Sequence, residues 1–148
     1  MKNKSKIMKV LTVKQPWGIL ICAGIKDIEN RTWKLPEKYR GERVLIHASE
    51  DRKLNLMHLS SDQYIDFLNK IDISTLKPCD QWPRSAIIGS VEIVDCVINH
   101  PSVWAEKGVY NWVLANPILF EKPILNVKGK LGFWNYDLPE EYETILKL

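Results

Sequence analysis

At 148 residues the chain has the length of one ordinary domain and is too short for two full-sized ones. Hydrophobic residues make up 45% and charged residues 26%, which excludes wholesale disorder, and a domain of this size needs no covalent staple to fold. The formal net charge of +3 is unevenly spread, with 13 Lys/Arg against 6 Asp/Glu over residues 1–53 and 8 against 12 over residues 54–148. Bulk charge therefore does not argue for a nucleic-acid ligand; only a local patch can.

In chain order, the lysines at positions 2, 4, 6 and 9 make the start basic. Residues 1–8 are expected to form a flexible tail, either solvated or steering a nucleic acid. Residues 9–13 read as a short strand. Gln15-Pro16-Trp17 opens a helix, because proline fits a first turn without losing a hydrogen bond, and Gly24 can end it at positive φ. Residues 26–33 read as a turn leading into a strand, and residues 43–48 (RVLIHA) as a further strand. Residues 50–73 are helical in composition, with apolar stripes through Leu54, Met57 and His58 and then Tyr64, Phe67, Leu68 and Ile71. Residues 74–85 form a loop. Residues 86–97 are the strongest strand, with Gly89 marking a bulge or a close backbone approach. Residues 110–114 and 118–120 are expected to be two strands interrupted by Asn116-Pro117, and residues 139–148 a short terminal helix. Many short strands with a few helices predict an α+β domain, a small β-barrel with flanking helices.

The three cysteines, Cys22, Cys79 and Cys96, are odd in number and lack CxxC spacing. That pattern disfavours a disulfide framework and suits a reducing compartment, so a cytoplasmic location is expected. Lys14, Gln15 and Pro16 interrupt any signal-peptide core, and no stretch approaches the ~20 apolar residues of a membrane helix, so no membrane partner is expected. His58 and His100 lack partners at ligand spacing, which implies no metal site. Without GxSxG, P-loop or GxGxxG motifs, no cofactor is implied.

Two features stand out. The six tryptophans give the chain several large core side chains, but Trp17 and Trp33 lie beside clustered charge, where an indole also serves to stack a ligand. Around them stand Lys14, Gln15, Lys26, Asp27, Glu29, Asn30, Arg31, Lys34, Arg40 and Arg43. Phosphate recognition needs Lys or Arg, and single-stranded bases need aromatic faces and carboxylate or amide edges. The competing reading is a strand with solvated charged partners. In an extended segment 28–33, Glu29, Arg31 and Trp33 share one face, with Lys26 at the turn in reach of them. A lysine beside a glutamate also serves proton transfer. His47 closes the RVLIHA strand just before Ser49, either as a satisfied structural residue or as part of a site.

The motifs Gln15-Pro16-Trp17, then G-x-K-x-x-E-x-R at Gly24, Lys26, Glu29 and Arg31, Arg40-Gly41 and Ile46-His47-Ala48-Ser49 together resemble the ASCH (activating signal cointegrator homology) domain. Ile88-Gly89-Ser90-Val91, Asp95-Cys96, Trp112, Lys128-Gly129 and Gly132-Phe133-Trp134 fit its second half. The resemblance spans about residues 9–138, leaving 139–148 as a helical extension. It implies a PUA-like β-barrel whose cleft, floored by the first helix and the GxKxxExR turn, binds RNA or DNA. Some similar bacterial proteins are metal-independent ribonucleases or amidohydrolases that release acetate from N4-acetylcytidine. The amidohydrolases pair a lysine with a threonine three residues later and a distant glutamate. Lys26 matches the lysine and Glu92 stands near the distant acid, but Glu29 occupies the threonine position, where a carboxylate does not supply the same acyl chemistry.

The leading expectation is a module that takes RNA, single-stranded nucleic acid or one nucleotide, flipped or modified, into this cleft. Lys14, Lys26, Arg31 and Arg40 would hold phosphate or base edge, Glu29 would accept from an exocyclic amine, and Trp17 or Trp33 would stack. Gln15, His47 and Ser49 complete the candidate binding set. The alternatives are a metal-independent hydrolase of RNA or a modified nucleoside with Lys26 and Glu29 as its catalytic pair, and a protein-interaction module. The last would use the Tyr64–Ile71 stripe and an aromatic patch near Trp104 and Trp112.

Overall fold

A computed structural model of the chain describes residues 5–72, 74, 77, 78 and 81–146. Residues 1–4 of the expected tail, Cys79 and the last two residues of the expected terminal helix lie outside them. Six strands form one sheet: β1 (Ser5–Val13), β2 (Ile28–Arg31), β3 (Glu42–Ala48), β4 (Ala86–Ile98), β5 (Tyr110–Ile124) and β6 (Phe133–Pro139), in the order β2-β5-β4-β3-β1-β6. Among the described residues only the β1–β3 pair is parallel. Among the described residues three α-helices accompany it: α1 (Trp17–Cys22), α2 (Ser61–Lys70) and α3 (Glu140–Leu146). None of them is long and apolar enough to cross a membrane.

The central strands read as continuous apolar runs because both of their faces are covered. Leu11 and Val13 of β1 and Val44, Ile46 and Ala48 of β3 point into the main core with α1, Phe67 of α2, Trp82, Trp104 and Trp112. The alternate positions Met8, Val10 and Leu45 enter a second layer with Trp134, Leu138 and Leu146 of α3. Strand β1 begins at Ser5 and pairs with β6 from Ser5 opposite Pro139, so residues 5–8 belong to the sheet, not to a tail. β6 gives them a partner that the glycine-flanked segment around it did not suggest.

Three further expectations change. Of the expected helical stretch 50–73, the described residues hold one ten-residue helix, α2, and a 3-10 turn at Leu56–His58. On α2 Phe67 is buried while Tyr64, Ile65 and Leu68 stay exposed. Asn116-Pro117 does not break β5, because Asn116 takes φ +50 and the ladder shifts register there while pairing resumes beyond it. Trp104 and Trp112 are buried, so they form no surface patch for a protein partner.

Gly89 lies at a register shift in β4, and a Cβ there would sit 2.2 Å from the Ile118 carbonyl oxygen and 2.8 Å from Cys22 Sγ. The bare backbone is what lets α1 lie on the sheet. No ladder joins β2 to β6 among the described residues. Side chains close that seam instead: Trp33, just past β2, packs edge-on against Phe133 of β6 at 5.9 Å and Trp112 of β5 at 4.7 Å, and Arg31 of β2 donates to the Thr12 carbonyl of β1 at 2.9 Å.

Candidate functional site

The seam opens at one end into a cleft of about 530 Å3, between the end of β1, the start of α1, β2 and the loop before β5. The peptide before Pro16 is cis, and Pro16 sits at the N-cap without a side-chain cap. The fully buried Gln15 supplies one instead. Its Oε1 accepts from the Ile19 N–H at 2.9 Å and its Nε2 donates to the Pro83 carbonyl at 3.0 Å, so it anchors α1 and does not face the cleft. This anchoring sets Trp17, half-buried, on the cleft wall.

Gly24, at φ +79, turns the chain out of α1 where an L side chain would be strained, and delivers Lys26 to the floor. Lys26 is only 5% exposed, and its Nζ donates to the Ile28 carbonyl. The same Nζ lies 4.0 Å from Glu29 Oε1 and 5.7 Å from the centroid of the Trp17 ring. Burial lowers the Lys26 pKa below its ordinary 10.5, against the attraction of Glu29 and Asp27. Glu29, 7% exposed, accepts on Oε2 from Arg31 Nε at 2.7 Å. Arg31 also lies 5.9 Å from the Trp112 ring. Lys26, Glu29 and Arg31 thus meet in one wall with one positive charge in excess when all three are ionised.

The opposite wall is the segment Trp104, Ala105 and Glu106, with His58 and Gln63 at the rim. Sequence reasoning missed these residues, since the contacts that place them span 38 to 76 positions. Asn30 donates to the Trp104 carbonyl at 3.0 Å and accepts from the Glu106 N–H at 3.0 Å, while Trp104 Nε1 donates to Asp66 at 2.8 Å. The fully buried Asn111 ties Asn30 to the Glu106 carbonyl. Asn30, singled out as part of the charged cluster, is therefore the clamp of this wall.

The other expected residues scatter. Lys14 reaches the rim, 58% exposed, and pairs with Asp51 at 3.5 Å; Ser49 acts only behind it, accepting from the Asp51 N–H at 3.1 Å. Trp33 leaves the face of Glu29 and Arg31, because β2 ends at Arg31, and joins the aromatic seam. Arg40 is held away by Glu37 and Asp95. His47 projects to the far layer, where its Nε2 lies 2.6 Å from the Val127 carbonyl and Trp134 packs 5.6 Å away. Burial lowers its pKa, opposed by that hydrogen bond. Glu92 pairs with Arg43 at 3.3 Å and accepts from Asn116 at 3.1 Å, and does not line the cleft. Among the described residues no group of three His, Cys, Asp or Glu side chains is placed to hold a metal ion.

The ASCH domain family matches residues 11–124, most of the chain and all of the cleft. The chain belongs to the ASCH domain family. Its α+β architecture is accordingly PUA-like, and the GxKxxExR residues Gly24, Lys26, Glu29 and Arg31 are the turn, floor and wall just described. It is 32% identical over 88 residues to human activating signal cointegrator 1, a stretch covering 59% of this chain and 14% of that protein. The ASCH chain thus corresponds to a small part of that relative's length.

Proposed function

We propose that this ASCH domain binds one nucleotide of a single-stranded RNA in the cleft. The observation that carries the reading is the convergence of Lys26, Glu29 and Arg31 beneath the half-buried Trp17. A cleft of about 530 Å3 has the size of a small-ligand site, and an indole wall with a buried carboxylate beside two cations suits a base that stacks and donates from an exocyclic amine. Lys14, 58% exposed at the rim, suits a phosphate. Stacking on Trp17 would contribute ~1–3 kcal/mol, and phosphate contacts would weaken binding as salt rises. The test is quenching of tryptophan fluorescence by short single-stranded RNA and DNA at two salt concentrations. Saturable, salt-sensitive quenching by RNA supports the reading. Absence of quenching by every oligonucleotide and nucleoside ends it.

One observation favours a second reading, a metal-independent hydrolase of RNA or a modified nucleoside. A lysine with a lowered pKa 4.0 Å from a carboxylate is a pair that can pass a proton. Incubation with RNA and with N4-acetylcytidine in EDTA tests it: product that vanishes in Lys26→Ala supports hydrolysis, and inert substrates exclude it.

A further inference from the structure

At the other end of β1 the sheet carries a second depression, of about 360 Å3, between the first half of β1, the 3-10 turn Glu37–Tyr39 and the start of β3. Lys6, Lys9 and Lys38 line it, and none of them forms an ion pair among the described residues. Several other cations of the fold are paired: Lys14 with Asp51, Arg31 with Glu29, Arg40 with Glu37 and Asp95, Lys70 with Asp66. Arg43 contributes only its stem to the groove, since its guanidinium is spent on Ser90, Glu92 and the Asn116 carbonyl. Glu42 is the one carboxylate among the lining residues, against three lysines; Lys9 and Lys6 border the groove from opposite faces of β1.

An aromatic path links this groove to the cleft. Lys38 lies 5.2 Å from the Tyr39 ring, Tyr39 packs on Phe133 at 4.1 Å, and Phe133 meets Trp33 at 5.9 Å. Trp33, 36% exposed, follows two residues after Arg31 of the cleft. From Thr12 to Lys6 the span along β1 is about 20 Å, the reach of a few nucleotides rather than one. Lysines beside aromatic rings, here the exposed Trp33 and the half-buried Tyr39, are the arrangement by which proteins track a single strand: charge holds the backbone while ring faces receive successive bases.

We infer that the groove of Lys6, Lys9 and Lys38 holds phosphates of the same RNA strand whose nucleotide enters the cleft, with the strand crossing Trp33 and Tyr39 between them. The inference takes its ligand from the nucleotide-binding reading of the cleft, and it assigns Trp33 a stacking role outside that cleft.

The test uses the full chain and reads each lysine separately. Acetylation of surface amines is followed by mass spectrometry with no ligand, with a mononucleotide, with short single-stranded RNA and with inorganic pyrophosphate. RNA is expected to protect Lys6, Lys9 and Lys38 but not Lys122, and the mononucleotide to leave all four unprotected. In parallel, the variant combining Lys6→Ala, Lys9→Ala and Lys38→Ala is expected to lower RNA affinity roughly tenfold and flatten its log–log salt slope by about two. Its mononucleotide affinity should stay unchanged, which also shows that the variant is folded. RNA affinity indifferent to the three lysines overturns the inference, as does an equal loss of mononucleotide binding. Protection by pyrophosphate without such an effect on RNA reduces the groove to an adventitious anion site and equally overturns it. Should mononucleotide and RNA both fail to quench the tryptophans, the cleft reading falls on its own. The groove is then judged by RNA protection of its lysines alone, and displacement of RNA from them by an acidic peptide of equal charge counts against it.

Discussion

Lys26 is buried at a cost, because its ammonium leaves water for one carbonyl and a carboxylate 4.0 Å away. Its lowered pKa fixes the sign of the linkage. Between the native value and the unfolded 10.5 the unfolded chain binds the proton and the native one does not, so stability rises with pH across that window. Lys26→Met keeps the stem and leaves Glu29 its partner Arg31 at 2.7 Å. It should therefore change stability by no more than ~1 kcal/mol in urea denaturation. Nucleotide affinity should fall tenfold or more, as for loss of a charged hydrogen bond of ~1.5–3 kcal/mol. In paired melts the wild type should gain on this variant as pH is raised toward 10.5. His47 works in the opposite range. Its ring is held neutral by burial, so the unfolded imidazole takes up a proton near 6.5 while the native one resists until lower pH. Stability should fall as pH drops below 6.5, and His47→Gln should lose this dependence in denaturation midpoints measured across that interval.

The elements show why part of the site was legible and part was not. Local alternation suffices to put Glu29 and Arg31 on one face of β2, and the clustering of charge around Trp17 marks a wall that the structure keeps half-exposed. The same alternation mislocates Trp33, since nothing local says that the strand stops at Arg31. Gln15 reads as a polar site residue, yet its role is to cap α1, a contact with Pro83 68 positions away. The loop of Trp104 and Glu106 carries no chemistry of its own and becomes a wall only through Asn30 and Asn111. Asn111→Ala should leave those buried partners unpaired, cost ~1–3 kcal/mol in denaturation, and weaken nucleotide binding more than the stability loss alone accounts for. Gly89, by contrast, was recognisable as a tight approach. Gly89→Ala forces a Cβ to within 2.2 Å of the Ile118 carbonyl, so β4 and β5 must part. A loss of about 2 kcal/mol or more is expected, read as a lower urea midpoint at unchanged slope.

For the molecule as a whole, the curled sheet with an open seam is what gives the fold its cleft. A closed ladder between β2 and β6 would fill the space that Arg31, Trp33 and Phe133 now bridge with side chains. The cleft lies toward the C-terminal end of β1 and the lysine groove toward its start, so one strand of the barrel joins both. Strand order and the β1–β3 parallel pairing could not be taken from residue patterns, because β6, which completes the sheet, follows glycines and carries a polar alternation. The decisive measurement is the map of amide shifts in the full chain titrated with a mononucleotide. Perturbation concentrated at Trp17, Lys26, Glu29, Arg31 and the Trp104–Glu106 wall, and abolished in Lys26→Met, is the predicted result. Shifts that spare those residues, or saturable binding that persists undiminished in Lys26→Met, would contradict it.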